Sequence, residues 1–207
     1  MKKSSPVLYR LLRPVFTLIF HVYFHPTYIN VNRIPKEGAV VLAGNHKHAL
    51  DPIFVDSCTK RTVYTLAKKE LHDGPFGWFF RGVGSIPVDL DAKKNHGALV
   101  AAISHLKEGA AVNVSPEAAR NYTDKLLLDF KPGAVVMAAR SNCPVIPYSI
   151  TGDYKFRSRN LTICFGRPIS VEGLSVEEAN EKLYHDVGKL LVKNKSRNIK
   201  DGGKKKA

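Results

Sequence analysis

The sequence predicts an α/β fold, with a central sheet, mostly parallel or mixed, flanked by helices and preceded by an N-terminal amphipathic helix. Three observations carry this. Seven short, apolar, β-branched runs recur along the chain: "YINVNRI", "AVVLAG", "TVYTLA", "SIPVDL", "AAVNVS", "VIPYSI" and "LTICFG". Such runs fit strands buried on both faces. Between them lie stretches with helix starts or stops, "DPIFVDSCTK", "NHGALVAAISHLKEG" and "KPGAVVMAARSN", so strands and helices alternate and the sheet is expected to be covered on both sides. The length, 207 residues, suits one domain that buries about 70% of the surface its unfolded chain exposes.

The first element occupies residues 1–26. Arg10, Arg13, Thr17 and His21 recur at spacings of three and four and form one polar stripe on a helix. Leu8, Leu11, Leu12, Val15, Phe16, Ile19 and Phe20 cover the rest of its surface. The apolar run "PVFTLIFHVYF" reads as too short to span a bilayer, which takes about 20 apolar residues. No A-x-A cleavage site follows it. The helix is expected to lie in an anionic membrane interface, where Lys2, Lys3, Arg10 and Arg13 each contribute about 1 kcal/mol. Packing against the protein's own domain is the alternative.

Residues 27–192 form the body. Asp51 before Pro52 marks a helix start, with the aspartate as N-cap and the proline in the first turn. The helix before Gly82 carries Phe76, Trp78, Phe79 and Phe80, which either border an apolar groove, touch lipid or pack in the core. A last amphipathic helix is expected from Ser175 to Val192, followed by "KNKSRNIKDGGKKKA" at 193–207, a basic tail without apolar periodicity that reads as disordered.

Thirty-two basic against eighteen acidic residues give a formal charge of +14, which calls for an anionic partner: nucleic acid, lipid headgroups or a phosphorylated substrate. Nucleic acid lacks any supporting motif or stacking pattern. Cys58, Cys143 and Cys164 are odd in number, scattered and set among apolar neighbours, which fits reduced thiols and a cytoplasmic setting. Neither zinc-knuckle spacing nor a nucleotide-binding glycine loop is present.

The stretch "NHKHALDP" places two histidines and an aspartate within six residues. His46 can accept a proton near neutral pH, and Asp51 can fix its tautomer and support the imidazolium. A spacing of five does not align the pair on a regular helix, so the pairing needs the turn that enters the helix at Asp51. Two other readings stand beside it. Asp51 can be only a cap, and His46, His48 and Asp51 nearly match a metallo-hydrolase ligand run, although the aspartate is one place late and the closing histidine is missing.

Four blocks follow in order. They are Asn45, His46 and Asp51; Gly84 to Asp89, approached by "AKKELHDGPFGWFF"; "SPEAAR", Ser115 to Arg120; and Val145, Ile146 and Pro147. From Tyr28 to about Ile169 this order resembles the 1-acyl-sn-glycerol-3-phosphate acyltransferase family, with its N-H-x4-D, G-x-I, F-P-E-G-T-R and V-P blocks. The resemblance implies a glycerolphosphate acyltransferase-like fold, attached peripherally at the cytoplasmic face of the cell membrane. The implied reaction moves a fatty acyl group from acyl-CoA or acyl carrier protein to the sn-2 hydroxyl of lysophosphatidic acid or a related lysophospholipid, giving phosphatidic acid.

Under this resemblance His46 is the catalytic base and Asp51 orients it, while Glu117 and Arg120 shape the acceptor site, Arg120 holding the phosphate. Asn45, Lys47, Gly84 and Ile86 are further substrate-binding positions. The implied chemistry needs no metal and no cofactor beyond the thioester donor. Ser115, Ala118 and Ala119 stand where the family carries phenylalanine, glycine and threonine, and Leu90 stands where many relatives have arginine. These departures motivate an alternative, a non-catalytic or altered-acceptor relative; the ligand-like run motivates another, a metal-dependent hydrolase using His46, His48 and Asp51.

Overall fold

The computed structural model describes residues 6–90 and 96–203, with side chains to Arg197. Lys2, Lys3, Lys93, Lys94 and residues 204–207 therefore lie outside the described residues. Each of the seven apolar runs overlaps a strand: β1 Thr27–Ile29, β2 Val40–Gly44, β3 Val63–Lys68, β4 Ile86–Val88, β5 Ala111–Val114, β6 Val145–Thr151 and β7 Thr162–Phe165. They form one sheet in the order β1-β7-β6-β2-β5-β3-β4. From β6 to β4 all neighbours are parallel. β7 runs antiparallel to β6, with β1 parallel to β7 on the outer edge.

Among the described residues, six helices besides the N-terminal one connect or cover these strands: α2 Asp51–Ser57, α3 Lys69–Asp73, α4 Gly77–Gly82, α5 His96–Lys107, α6 Gly133–Arg140 and α7 Val176–Gly203, after α1 at Val7–Phe24. The strand alternation decides which helix covers which face. Val41 and Ala43 of β2 pack in a core with Ala102, Leu106, Met137 and Leu183 of α5, α6 and α7. Val40 and Leu42 point the other way, into a core with Phe54 and Val55 of α2 and Phe20 and Phe24 of α1. The short α3 carries no apolar periodicity of its own and was not anticipated from the sequence.

α1 both docks on the domain and exposes apolar surface. Tyr9, Phe20 and Phe24 are buried, Phe20 stacking on Phe54 with ring centroids 5.1 Å apart. Leu11, Leu18 and Val22, at 65%, 66% and 58% exposure, form an outward apolar face. The polar stripe is not simply solvated, because Arg13 turns inward and donates to the Asp56 carbonyl at 3.2 Å. With 18 residues and a mean hydropathy of 1.3, α1 is long and apolar enough to cross a membrane by length and composition. Judging from residues 14–24 alone underestimated it, since its first two turns are also largely apolar.

α7 continues past Val192 to Gly203, so residues 193–203 are helical rather than disordered. The cause is tertiary. Asn194 is buried and donates towards Ser149 O and Oγ at 3.3 Å and Thr162 O at 3.4 Å, which fastens this part of the helix to β6 and β7. A polar contact of this kind leaves no trace in hydropathy.

Candidate active site

β2 delivers the site. Its last residue, Gly44, lies so close to Tyr148 of β6 that an added Cβ would meet the ring at 2.3 Å; only glycine lets the two strands approach there. Beyond it, the Asn45 side chain continues the ladder, donating to Ile150 O at 3.0 Å and accepting from Ile150 N at 2.7 Å. The chain then turns through residues 46–50, at the C-terminal end of the parallel strands, where open α/β sheets bind their ligands.

That turn solves the spacing problem. Asp51 N donates to His48 O at 3.1 Å, and the tightened loop brings His46 Nδ1 to 2.8 Å from Asp51 Oδ2. The same oxygen accepts the Lys47 and His48 amides at 2.8 and 2.9 Å. Asp51 Oδ1 accepts the Tyr154 hydroxyl at 2.5 Å. Asp51 is the first residue of α2 and Leu50 its cap, so the carboxylate holds the preceding turn rather than capping the helix. Nδ1 being occupied, Nε2 is the ring nitrogen of His46 open to chemistry, on a side chain that is 23% exposed and lines the adjoining cavity.

The metal reading finds no support in this geometry. His48 Nδ1 accepts the Leu50 amide at 3.2 Å, its ring stacks on Tyr154 at 4.4 Å, and both oxygens of Asp51 already accept protein donors. Among the described residues no three histidine, cysteine, aspartate or glutamate side chains group as a metal site requires.

The third block braces the first. Glu117 Oε1 accepts the His46 amide at 2.8 Å, Oε2 accepts the Leu128 amide at 2.7 Å, and Asn121 N donates to His46 O at 3.1 Å. Glu117 thus positions the histidine backbone with both oxygens committed. Burial raises its pKa while the two amide bonds oppose the rise. Ala118 sits at φ +56°, the left-handed region that glycine adopts without strain; the alanine adopts it here.

The cavity has a volume of about 630 Å³ and is lined by Asn45, His46, Lys47 and Glu117, joined by residues that sequence reasoning missed, among them Asn121, Lys125 and Lys195. That volume lies within the range of small-molecule sites. Lys47 donates to the Gly152 carbonyl, and burial lowers its pKa, against the pull of Asp153 and Asp51. Three expected residues are not brought here. Arg120 is exposed, its guanidinium 5.5 Å from the Tyr122 ring centre, and does not line the cavity. Ile86 is a core residue of β4, at the far edge of the sheet. Gly84, at φ +75°, packs against Pro6 and Tyr64. Both therefore serve the fold at a distance from His46.

The acyltransferase family model matches residues 25–151, more than half of the chain and the whole of the site's β2 and third-block framework. The chain belongs to the acyltransferase family. The 1-acyl-sn-glycerol-3-phosphate acyltransferase of Helicobacter pylori is 28% identical over 178 residues, covering 83% of this acyltransferase and 75% of that protein. The Streptococcus pneumoniae protein of the same name is 25% identical over 168 residues, 77% of this chain and 61% of its own length, so the chain spans less than two-thirds of that relative. The crystal structure of the 1-acyl-sn-glycerophosphate acyltransferase of Thermotoga maritima superposes with a TM-score of 0.71 at 24% identity, covering 91% of this chain and 78% of that one. It shares the fold.

Of the residues that build this acyltransferase's site, Tyr154 had no local signal. It lies 103 positions from Asp51 and arrives only because β6 pairs with β2. Its burial, followed by the nearby Asp51 carboxylate, pushes its hydroxyl far above the ordinary phenol range, so it remains a donor to the aspartate.

Proposed function

We propose that the protein transfers a fatty acyl group from an acyl thioester to the sn-2 hydroxyl of lysophosphatidic acid or a related lysophospholipid, giving phosphatidic acid. The observation that carries this reading is the 2.8 Å bond between His46 Nδ1 and Asp51 Oδ2 beside the cavity, which leaves Nε2 as a base. The curated relatives' names supply the acceptor class. His46 Nε2 takes the proton of the acceptor hydroxyl while Asp51 supports the imidazolium. The alkoxide oxygen attacks the thioester carbonyl, an ester C–O bond forms, the C–S bond breaks, and the thiolate leaves with the proton from His46. Acyl-CoA and acyl carrier protein present the same thioester, and the assay below distinguishes them as donors.

The reaction belongs at the cytoplasmic face of a membrane, held peripherally. Supporting this are the outward face of α1 and the neighbouring Phe76 and Trp78, 67% and 61% exposed, together with the charge of +14.

The test is a transfer assay with defined lysolipids against coenzyme-bound and carrier-bound donors. His46→Ala is expected to lower turnover by about 100-fold to 10,000-fold, the usual worth of a general base, with vesicle binding intact. Turnover retained by this variant would refute the assignment. The missing glycine, threonine and arginine of the family blocks favour a second reading, an altered-acceptor relative, which the same lysolipid panel separates by which acceptor is consumed.

A further inference from the structure

The cavity lacks the cation that the third block was expected to supply. Arg120 lies over Tyr122, Ala119 has no hydroxyl to offer, and Leu90 carries no charge. Yet the lining contains three lysines, Lys47, Lys125 and Lys195. Its one carboxylate is Glu117, whose oxygens are both held by backbone amides.

Two of these lysines stand on fixed supports. Lys125 closes a tight loop in which Asn121 Nδ2 donates to Lys125 O at 2.9 Å, Asn121 Oδ1 accepts Thr123 N at 2.9 Å, and Asn121 N is tied to His46 O. Lys195 follows Asn194, the buried residue that anchors α7 to Ser149 and Thr162. One comes from the loop after β5 and the other from α7. Lys195 also lies close enough to Lys47 for their charges to repel, adding to the lowering that burial imposes on Lys47. Like charges gathered around an open cavity carry an electrostatic cost that an anion relieves. Lys47 is partly committed, to Gly152 O and by attraction to Asp153 and Asp51. Among the described residues no ion pair engages Lys125 or Lys195, which leaves them to meet a ligand.

We infer that Lys125 and Lys195 form a phosphate subsite in the outer part of the cavity, in place of the arginine of the third block, and that it takes the phosphate ester of a substrate. A phosphate oxygen is a strong charged acceptor, and lysine binds it as a compact point charge. The inference rests on reading the cavity as an acyltransferase site. The phosphate can belong to the lysophospholipid acceptor or to the phosphopantetheine-containing donor.

The test is a Lys125→Gln, Lys195→Gln double variant assayed with lysophosphatidic acid and with a monoacylglycerol that lacks phosphate, each against acyl-CoA. The KM for lysophosphatidic acid is expected to rise at least about tenfold with kcat within about twofold, and the KM for the monoacylglycerol to stay unchanged. A rise confined to the KM for acyl-CoA keeps the phosphate subsite and assigns it to the donor. No change in either KM overturns it. A Lys182→Gln, Lys189→Gln control on α7 removes equal charge away from the cavity and is expected to leave both values alone. Thermal stabilisation by glycerol 3-phosphate separates the two layers of the argument. If the wild-type chain transfers no acyl group yet is stabilised, and the double variant is not, the transferase reading fails and the subsite stands. Absence of stabilisation and of any KM effect removes the subsite while leaving the transferase reading to the His46 result.

Discussion

Asp51 receives four donors: the imidazole of His46, two amides of its own turn, and the hydroxyl of Tyr154. The tyrosine is the one that local sequence does not supply, and it touches no reacting atom. It also stacks on His48 and meets the rings of Phe20 and Phe24 at 6.1 and 5.6 Å, so it joins α1 to the carboxylate. Tyr154→Phe keeps those ring contacts and strands Asp51 Oδ1 in a residue that is 1% exposed. Leaving a buried acceptor unpaired costs about 1–3 kcal/mol. We expect kcat to fall about tenfold through loss of orientation of the aspartate, equivalent to roughly 1.4 kcal/mol, with the KM of both substrates nearly constant. An unchanged kcat would show that the hydroxyl serves stability alone. His46 and Asp51 were legible because their partnership is closed by a five-residue turn written in the sequence. Glu117 was legible as a residue of the site but not as a brace, since its partners are backbone amides of residues 46 and 128. Arg120 was misread because a motif fixes chain order and not the direction of a side chain, and here an aromatic neighbour takes the guanidinium.

The docking of α1 on α2 buries polar groups. Asp56 of α2 lies beneath α1, facing Arg13, Tyr9 and Cys58. Asp56 Oδ1 and Arg13 Nε have no hydrogen-bond partner among the described residues. Burial raises the Asp56 carboxyl from its ordinary value of 3.8 to about 8, against the pull of Arg13 and the Tyr9 hydroxyl. The folded chain therefore holds a proton that the unfolded chain has released across this interval. Its contribution to stability is fully present below the unfolded value and is lost as pH rises through the folded one. The melting temperature of the wild type should fall between about pH 4 and pH 8 more steeply than that of Asp56→Asn, which keeps the shape and cannot ionise. Parallel curves would show that the carboxyl does not govern this interface. The sequence showed α1 as amphipathic and set Arg13 at an anionic membrane interface, with packing on the protein's own domain as the alternative; the structure turns Arg13 inward, where it donates to the Asp56 backbone carbonyl. The same limit applies to α7, whose extension depends on Asn194 meeting β6.

On the scale of the whole chain, strands and the main helices were legible because burial on both faces leaves continuous β-branched runs, and those runs survive any arrangement of the sheet. Strand order and the reversal of β7 and β1 were not, since pairing partners are chosen by connections and packing that periodicity does not record. What the assembled molecule adds is that the two features proposed to hold it at a membrane become separable. The apolar face of α1, with Leu11, Leu18 and Val22 outward, acts through burial and is indifferent to salt. The charge of +14 acts through a field that is screened within about 10 Å at 0.1 M salt. Partitioning onto vesicles containing anionic lipid should therefore weaken as salt rises from about 0.01 M to 0.5 M and level off at a residue set by the apolar face. Leu11→Glu with Leu18→Glu should abolish that salt-resistant remainder, while leaving turnover on detergent-dispersed substrate close to wild type because neither residue lines the cavity. Sedimentation with vesicles of anionic and of neutral lipid measures both parts. Binding that vanishes at high salt in the wild type would mean that charge alone holds the protein at the surface, and that the exposed face of α1 meets a protein partner instead.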